Sequence, residues 1–509
     1  MSEQEPSDRL TRDTLGGVSW AYAGTVVGAL TQLAYTATMG RLLEPADFGL
    51  VAMALVVQRF GSYFAQMGVG RALIQKSDLD VADVRVGVTT SVLLGLFVGG
   101  AMVAAAPLAG LFFDTDAVTP VVRVLALSFV LSSLGHIATS LLRRELRFRA
   151  LSIIEVTAQA VAFLGVGIGM ALLGFGVWSL VGAQLALSLL ETGLAYAVRR
   201  HSLVPLLTWY RARALYSYGS RISVISFFEF IGSSLDTLVI GRWSGQQALG
   251  HYNRALLLVN LPFQQVVKGL SGVLFPAFSR IQGDIPRLRG AYRSGLGMVA
   301  AFLMPTAAGL AVAAPELVRV VLGPQWNLAA VVVPALAIAG TVNFLSHLGG
   351  VVCDATATLN RKLVLQIAYV LVLGGLLFVA GTQDQLIFFA FAVAGAQVFR
   401  HVLYMALLRR VLGFGIGDHL RIYGPVLAAA VLVGGCLTAV TLLLRPLVPV
   451  GIVLAGQVAT GVLVMMLSLL WGPLVGTRRD VRVRLEMTGL LEGGSRLSRV
   501  VRAMMDLGR

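Results

Sequence analysis

The sequence has few charged residues and almost no cysteine. Of its 509 residues, only 13% are charged and two are cysteines, Cys353 and Cys436, so neither a disulfide framework nor a cysteine-based metal site is available. It also lacks a Walker loop, a dinucleotide-binding glycine pattern after a strand, and histidines at metal-ligand spacing. These absences argue against the common nucleotide-dependent enzymes and metalloenzymes, and we expect no cofactor, no metal and no covalent chemistry.

Long apolar runs fill most of the chain. Hydrophobic residues make up 57% of the sequence, and runs of about 20 residues can cross a hydrocarbon core of ~30 Å as helices. A backbone in lipid must satisfy its own hydrogen bonds, and these runs are continuously apolar, unlike barrel strands. We therefore predict an all-α polytopic membrane protein with about fourteen transmembrane helices. The predicted spans are 15–38, 48–68, 86–108, 118–142, 150–173, 176–198, 219–240, 250–275, 295–314, 328–352, 363–381, 386–408, 423–444 and 448–472.

The positive charges lie almost entirely on alternate loops. With the N-terminus inside, the predicted inner loops and tails hold 31 of the 40 Lys and Arg residues, whereas the outer loops hold five. This positive-inside bias predicts that both termini lie in the cytoplasm. A net charge of +15 could suggest a nucleic-acid partner, but charges confined to loops beside membrane spans argue against one.

Three polar segments flank the predicted spans. Residues 1–14 do not resemble a cleavable signal peptide and are predicted to be a cytoplasmic N-terminal segment. The segment 199–218, rich in arginine and aromatic residues, is predicted to lie along the inner leaflet as an interfacial linker. The basic tail 473–509 has arginines at three-residue spacing opposite apolar residues, which predicts an amphipathic surface helix. A tail that docks on a partner protein is the alternative.

The two halves of the chain share a short repeat. Residues 40–49 and 241–250, offset by 201 positions, each join the first and second helix of a six-helix set. Because six is even, both copies face the same side, as in a parallel repeat about an axis along the membrane normal. This predicts two pseudo-symmetric six-helix bundles, 15–198 and 219–409, followed by an extra helix pair at 423–472. The alternative is a shared turn that merely ends one helix and begins the next.

Some ionisable residues fall within the predicted spans, where a charge costs at least ~2.5–3.5 kcal/mol and normally faces a wet cavity or a partner. Arg59 lies near the middle of span two, and Lys268 lies in the inner half of span eight, its equivalent. Two such cations facing one cavity would suit an anionic headgroup. Alternatively, each extends to an interface or pairs with a carboxylate. Arg400, in span twelve, is a further candidate.

Several carboxylates also fall within spans. Glu229 and Asp236 are seven residues apart on span seven and so share roughly one face of the helix. They could form a proton or cation relay, or they could be ion-pair partners for Arg254 or Lys268. By contrast, Glu155 and Glu191, near the inner ends of their spans, are interpreted as ordinary solvated residues.

Five segments resemble a known family. They are GRLLEPADFGLVAMA at 40–54, MGVGRALIQK at 67–76, LDTLVIGR at 235–242, ALGHYNRA at 248–255 and FPAFSRIQ at 275–282. Together they resemble Wzx-type polysaccharide exporters, the colanic-acid-exporter-like branch of the multidrug/oligosaccharidyl-lipid/polysaccharide flippase superfamily. The resemblance covers spans one to twelve, and spans thirteen and fourteen by number alone.

The resemblance implies a flippase in the bacterial inner membrane that moves an undecaprenyl-pyrophosphate-linked oligosaccharide by alternating access. It implies a lipid-linked oligosaccharide, membrane lipids, a polysaccharide polymerase and export machinery as partners. The matched segments make Asp236, Arg242 and Arg254 candidate site residues. With the charges above, the candidate substrate-binding residues are Arg59, Arg254, Lys268, Arg242 and Arg400, and the candidate coupling or ion-pair residues are Asp236 and Glu229.

Three alternatives stay open from the sequence. An ion-coupled small-molecule exporter of the multidrug type would favour a cavity dominated by carboxylates, whereas the midspan charges here are mixed. A lipid II flippase belongs to the same superfamily. A membrane oligosaccharide polymerase or ligase usually carries a large outer loop, and the longest predicted outer loops here have only about a dozen residues.

Overall fold

The computed structural model describes residues 24–66, 69–76, 78–210, 223–356, 358–383 and 385–474. The predicted N-terminal segment 1–14, residues 211–218 of the predicted linker and residues 475–509 of the predicted tail lie outside the described residues. Contacts divide the chain into two compact units, Met1–Asn253 and Arg254–Arg509. The predicted bundle boundaries, 198 and 219, stay a prediction.

The first unit begins with seven helices, one of which is short. Their bounds are α1 24–42, α2 Pro45–Gln66, α3 Val69–Gln75, α4 Val81–Phe113, α5 Val118–Arg144, α6 Phe148–Leu172 and α7 Val177–Val198. Helix α6 contains a π-helical stretch at Val161–Gly167. The unit is completed by α8, Ser223–Trp243, and by the start of α9, Gly245–Arg280, inside which the unit ends.

The second unit continues from α9 with six further helices. Their bounds are α10 Ile285–Val321, α11 Asn327–Ala355, α12 Leu359–Gly381, α13 Leu386–Leu412, α14 Ile416–Leu444 and α15 Val450–Leu470. A short 3-10 turn, Pro324–Trp326, precedes α11. Helix α10 packs along α11 and α14, and α11 packs along α13, so α10 and α11 form the centre of this unit.

The prediction of an all-helical membrane protein is confirmed. Every regular element in the described ranges is a helix, and ten of these helices are long and apolar enough to cross a membrane. Predicted spans one, two, seven and eight correspond to α1, α2, α8 and α9, which are not among the ten. Structure is described for only part of predicted spans one and seven, and α2 and α9 carry more polar residues. The total of fourteen spans therefore stays a prediction.

Helix ends follow local sequence signals. The Asp80 side chain accepts a hydrogen bond from the Asp83 backbone N–H at 2.6 Å, and the Asp83 side chain accepts one from the Asp80 N–H at 3.2 Å. This reciprocal capping box satisfies two N–H groups that the first turn of α4 would otherwise leave unpaired. The helix ends at Asp114, which adopts a left-handed backbone conformation with φ 56°.

The two copies of the sequence repeat contact each other. At Gly49, an added Cβ would overlap the backbone carbonyl of Gln246, and at Gly250 it would overlap the carbonyl of Pro45. Pro45 and Gln246 are themselves equivalent at the offset of 201 residues. The contact is therefore reciprocal, as at a two-fold interface where position i meets j and j meets i. Glycine is required at both positions because the first turns of α2 and α9 touch backbone to backbone.

Within the second unit, a buried carboxylate joins α10 to the last two helices, α14 and α15. Glu316 on α10 is 3% exposed and accepts hydrogen bonds from Arg445 Nε at 3.0 Å and Gln457 Nε2 at 3.4 Å. The Gln457 amide also donates to the Thr441 hydroxyl at 2.7 Å. The carboxylate thus links α10 to α14 and α15, the predicted C-terminal helix pair.

Replacing Gly49 or Gly250 with alanine should destabilise the protein, because the new methyl group forces two backbones apart. Overpacking of this kind costs typically about 1–3 kcal/mol. Gly100 on α4 has open space where its Cβ would lie, so Gly100→Ala is the matched control and should be neutral or slightly stabilising. Thermal unfolding of the detergent-purified variants measures the difference. Equal melting temperatures for Gly49→Ala, Gly250→Ala and Gly100→Ala would contradict the close contact.

Replacing Glu316 with alanine should lower the free energy of unfolding by about 1–3 kcal/mol, because the buried Gln457 amide loses an acceptor. The Arg445 side chain is 57% exposed, so water compensates for much of its loss. Glu316→Gln keeps an acceptor oxygen and should lose less stability. Thermal melting of both variants tests this link, which fails if Glu316→Ala melts at the wild-type temperature.

Candidate functional site

Arg59 lies on a polar cavity inside the first unit. The cavity has a volume of about 370 Å³ and lies between α2, α4, α5 and α7. Three of its fourteen lining residues, Leu55, Phe129 and Leu187, are apolar. The others are polar or charged: Gln58, Arg59, Ser62, Ser91, Ser128, Ser132, Ser133, His136, Gln184, Ser188 and Glu191. The cavity is therefore a hydrophilic space enclosed by otherwise apolar helices.

Some of the lining side chains are satisfied by the protein itself. The hydroxyl of Ser128 donates to the backbone carbonyl of Leu125 at 2.6 Å, and that of Ser133 donates to Val130 at 2.8 Å. The amide of Gln58 donates to the Ser128 hydroxyl. Such bonds to the preceding turn are the ordinary means by which a hydroxyl is accommodated in an apolar helix.

Other lining side chains make no hydrogen bond within the described part of the chain. They are Ser91, Ser132, His136, Gln184 and Glu191. Glu191 was interpreted from the sequence as an ordinary solvated residue, but it lines this cavity and is near enough to Glu155 for the two charges to interact.

Asp236 lies close to Arg59 and is held by hydroxyl and amide donors. It is 8% exposed, and it accepts hydrogen bonds from the Tyr252 hydroxyl and the Thr237 N–H, both at 2.7 Å. Arg59 is near enough for its positive charge to act on the carboxylate. The hydrogen bonds and ion pairs of the described residues do not include a direct one between Arg59 and Asp236, so the two predicted site residues are linked by charge and not by contact.

Tyr252 is a site residue that the sequence reasoning missed. It lies on α9, is fully buried, and donates to Asp236 on α8. It falls within the segment 248–255 that carried the family resemblance, but a single tyrosine in an apolar helix has no spacing that assigns it a role. In the sequence, the one feature that points to Tyr252 is its position two residues after Gly250 of the repeat.

Glu229 and Asp236 occupy different environments, although both are on α8. The side chain of Glu229 is exposed, whereas that of Asp236 is buried. The described interactions of Asp236 do not include Glu229, so the predicted relay between them has no direct contact in this structure.

Three other predicted cations are on α8 and α9. Arg242 forms an ion pair with Asp114 at 3.6 Å, and both side chains are largely exposed, which gives a pair of this kind little net stabilisation. Arg254 is half-buried on α9, where the second unit begins. Lys268 lies in α9 within the stretch 265–277, whose side chains fall outside the described part of the protein.

Arg400 belongs to a separate polar group in the second unit. Its guanidinium donates to the side-chain oxygen of Asn343 and lies 4.8 Å from the centre of the Tyr369 ring. Its neighbour His401 is hydrogen-bonded to the Ser346 hydroxyl at 3.0 Å and the Tyr423 hydroxyl at 2.9 Å. These bonds join α11, α12, α13 and α14, which gives the group a packing role in addition to any role in binding.

The described residues contain no group of three or more His, Cys, Asp or Glu side chains that could hold a metal ion. The cavity and the Arg59–Asp236 group instead offer hydroxyls, amides, one imidazole, one guanidinium and the two carboxylates of Glu191 and Asp236. Such a set can bind and orient a polar ligand by hydrogen bonds and charge.

Comparison with solved structures shows the fold. The lipid II flippase MurJ, in an inward closed conformation, superposes with a TM-score of 0.71 at 14% identity, covering 91% of this chain and all of that one. The multidrug transporter DinF-BH, of the MATE type, gives a TM-score of 0.55 at 17% identity over 79% of this chain and 96% of its own. The chain therefore has the fold of these membrane transporters.

Comparison with known sequences supports the resemblance found in the short segments. The lipopolysaccharide biosynthesis protein WzxC of Escherichia coli K12 is 25% identical over 352 residues, which is 67% of this chain and 69% of that protein. The teichuronic acid biosynthesis protein TuaB of Bacillus subtilis 168 is 24% identical over 424 residues, 83% of this chain and 88% of that protein.

The profile of one protein family matches residues 38–331, more than half of the chain. The match spans α2 to α10, and it includes the repeat, the cavity and the Arg59–Asp236 group. The family described as "Polysaccharide biosynthesis protein" thus accounts for the resemblance to polysaccharide exporters, which is confirmed. This chain belongs to the polysaccharide biosynthesis protein family.

Proposed function

We propose that this protein is a flippase that moves an undecaprenyl-pyrophosphate-linked oligosaccharide from the inner to the outer leaflet of the bacterial cytoplasmic membrane. The transported glycan would serve a surface polysaccharide. Three findings support the proposal: the family, the fold shared with a lipid II flippase, and the relatives named for polysaccharide biosynthesis. In this proposal the chain crosses the membrane fourteen times, with both termini in the cytoplasm.

The observation that carries the proposal is the position of Arg59. It lies in the second half of the 22-residue helix α2, its side chain is exposed, and it lines a polar cavity. An arginine within a membrane span normally faces water or a charged partner. A pyrophosphate with an attached glycan cannot cross the hydrocarbon core unaided, and a guanidinium is well suited to bind phosphate oxygens. Arg59 therefore offers an anion-binding group where the substrate needs one.

The Asp236 carboxylate offers Arg59 an alternative partner to the substrate. Hydrogen bonds from Tyr252 and Thr237 hold the Asp236 carboxylate in place, within range of the Arg59 charge. An incoming pyrophosphate competes with Asp236 for the guanidinium. Asp236, together with Glu229, is accordingly our candidate for coupling transport to a proton or cation.

The other predicted cations contribute unequally to the proposal. Arg254 and Lys268 join Arg59 as residues that attract the pyrophosphate or acidic sugars. The guanidinium groups of Arg242 and Arg400 contact Asp114 and Asn343, so an anion bound there would compete with these contacts.

Alternating access requires two states of similar free energy. At Gly49 and Gly250 the first turns of α2 and α9 meet through backbone atoms. On the predicted topology this contact lies at the outer face. In this proposal, the close backbone contact opens and closes during the cycle.

Arg59→Ala should lower transport at least about tenfold, because a hydrogen bond to a charged group contributes about 1.5–3 kcal/mol. The measurement is flipping of a labelled undecaprenyl-pyrophosphate oligosaccharide by the purified protein in proteoliposomes. Arg319, an exposed arginine near the end of α10, provides the matched control, and Arg319→Ala should transport normally. Wild-type rates for Arg59→Ala would remove Arg59 from the site.

Asp236→Asn should be strongly non-additive with Arg59→Ala, because both residues act as one group. We expect Asp236→Asn to slow transport in the wild-type background and to have little further effect in the Arg59→Ala protein. The same flipping assay, run on the two single variants and the double variant, gives the coupling between them. Independent, multiplying losses would show that Asp236 acts without Arg59.

A further inference from the structure

The polar cavity of the first unit extends beyond what an anion-binding arginine needs. Besides Arg59, it is lined by hydroxyl, amide and imidazole groups on α4, α5 and α7. Ser91 is 5% exposed, yet its hydroxyl has no hydrogen-bond partner in the structure as described. The amide of Gln184, the ring of His136 and the hydroxyl of Ser132 are also without one.

These groups favour a polar occupant. Ser91 is buried, His136 and Gln184 are partly buried, and Ser132 is exposed. All four line one cavity, where water or a ligand with several hydroxyls can supply the hydrogen bonds that the surrounding apolar helices and lipid do not. The volume of about 370 Å³ lies in the range of small-molecule sites.

The chemistry of the lining selects among occupants. A metal ion would need several carboxylate or imidazole ligands, and the described residues offer no such group. An anion alone would leave the amide and hydroxyl groups of the cavity without a role and would meet the Glu191 carboxylate. A neutral sugar ring fits better, since its hydroxyls both donate and accept, and its C–H face can pack on a buried aromatic ring such as Phe129.

We propose that this cavity is a glycan subsite, which binds one neutral sugar unit of the transported lipid through Ser91, Ser132, His136 and Gln184. The inference rests on the proposed flippase function and adds a specificity determinant to it. Arg59 lines the same cavity, so one site holds the anionic and the neutral parts of the substrate next to each other. The subsite favours a glycan-bearing lipid over the same lipid without sugar.

The test compares two substrates in one protein preparation. The probes are labelled undecaprenyl pyrophosphate carrying a neutral oligosaccharide and labelled undecaprenyl pyrophosphate without sugar, each flipped in proteoliposomes below saturation. The variants are Ser91→Ala and Gln184→Leu. Gln32→Leu is the matched control, because Gln32 is a half-buried residue on α1 that donates to Thr36 and does not line the cavity.

We expect each cavity variant to lower the ratio of glycan-bearing to sugar-free transport about three- to tenfold, the effect of losing one hydrogen bond. Gln32→Leu should keep the wild-type ratio. Because both substrates are measured on the same sample, any loss of folded protein cancels from the ratio.

Four results would overturn the subsite. An unchanged ratio in both variants, or equal losses for the two substrates, would show that the cavity holds only water while the flippase function stands. A wild-type protein that moves both lipids equally well would show the same. A wild-type protein that moves neither lipid would instead refute the proposed function, and the subsite with it.

Discussion

A hydrocarbon core offers no water, so every polar group inside it needs a partner from the protein or from a ligand. This constraint accounts for most of the buried polar groups described above. Asp236 is held by Tyr252 and Thr237, Glu316 by Arg445 and Gln457, and Arg400 by Asn343. Each of these groups joins different helices, so each contributes to packing. The cavity beside Arg59 is different because its polar side chains face a common space large enough for a ligand.

The lack of water in the membrane also bears on the contact between the two copies of the repeat. Helix ends that meet through side-chain ion pairs would have to desolvate and rehydrate charges whenever they separated. Gly49 and Gly250 instead let the first turns of α2 and α9 meet backbone to backbone. A contact of this kind depends on shape and is lost with little electrostatic cost. Close packing and reversible motion are therefore compatible at this point in the chain.

The sequence predicted the helices and the repeat, because these depend on composition and on a fixed spacing. It did not predict site residues whose role depends on neighbours from other helices. Apolar runs located the helices, although α4 extends from Val81 to Phe113 and exceeds its predicted span 86–108 at both ends, because helices continue past the apolar core. The repeat that contains Gly49 and Gly250 could be found because its two copies are a constant 201 positions apart in the sequence. Tyr252 and Ser91 could not, because a single hydroxyl in an apolar helix carries no periodic signal. Likewise, the partners of Arg400 come from helices α11 and α12, which only the fold brings together with α13.

The central claim is that a polyprenyl-pyrophosphate glycan occupies a site that includes Arg59. The most direct measurement is native mass spectrometry of the protein purified in mild detergent from its own membrane, alongside the Arg59→Ala variant. The account predicts a bound polyprenyl-pyrophosphate oligosaccharide in the wild-type protein and its loss in the variant, and the mass would also identify the glycan. Bulk phospholipid as the sole lipid in both samples would contradict it.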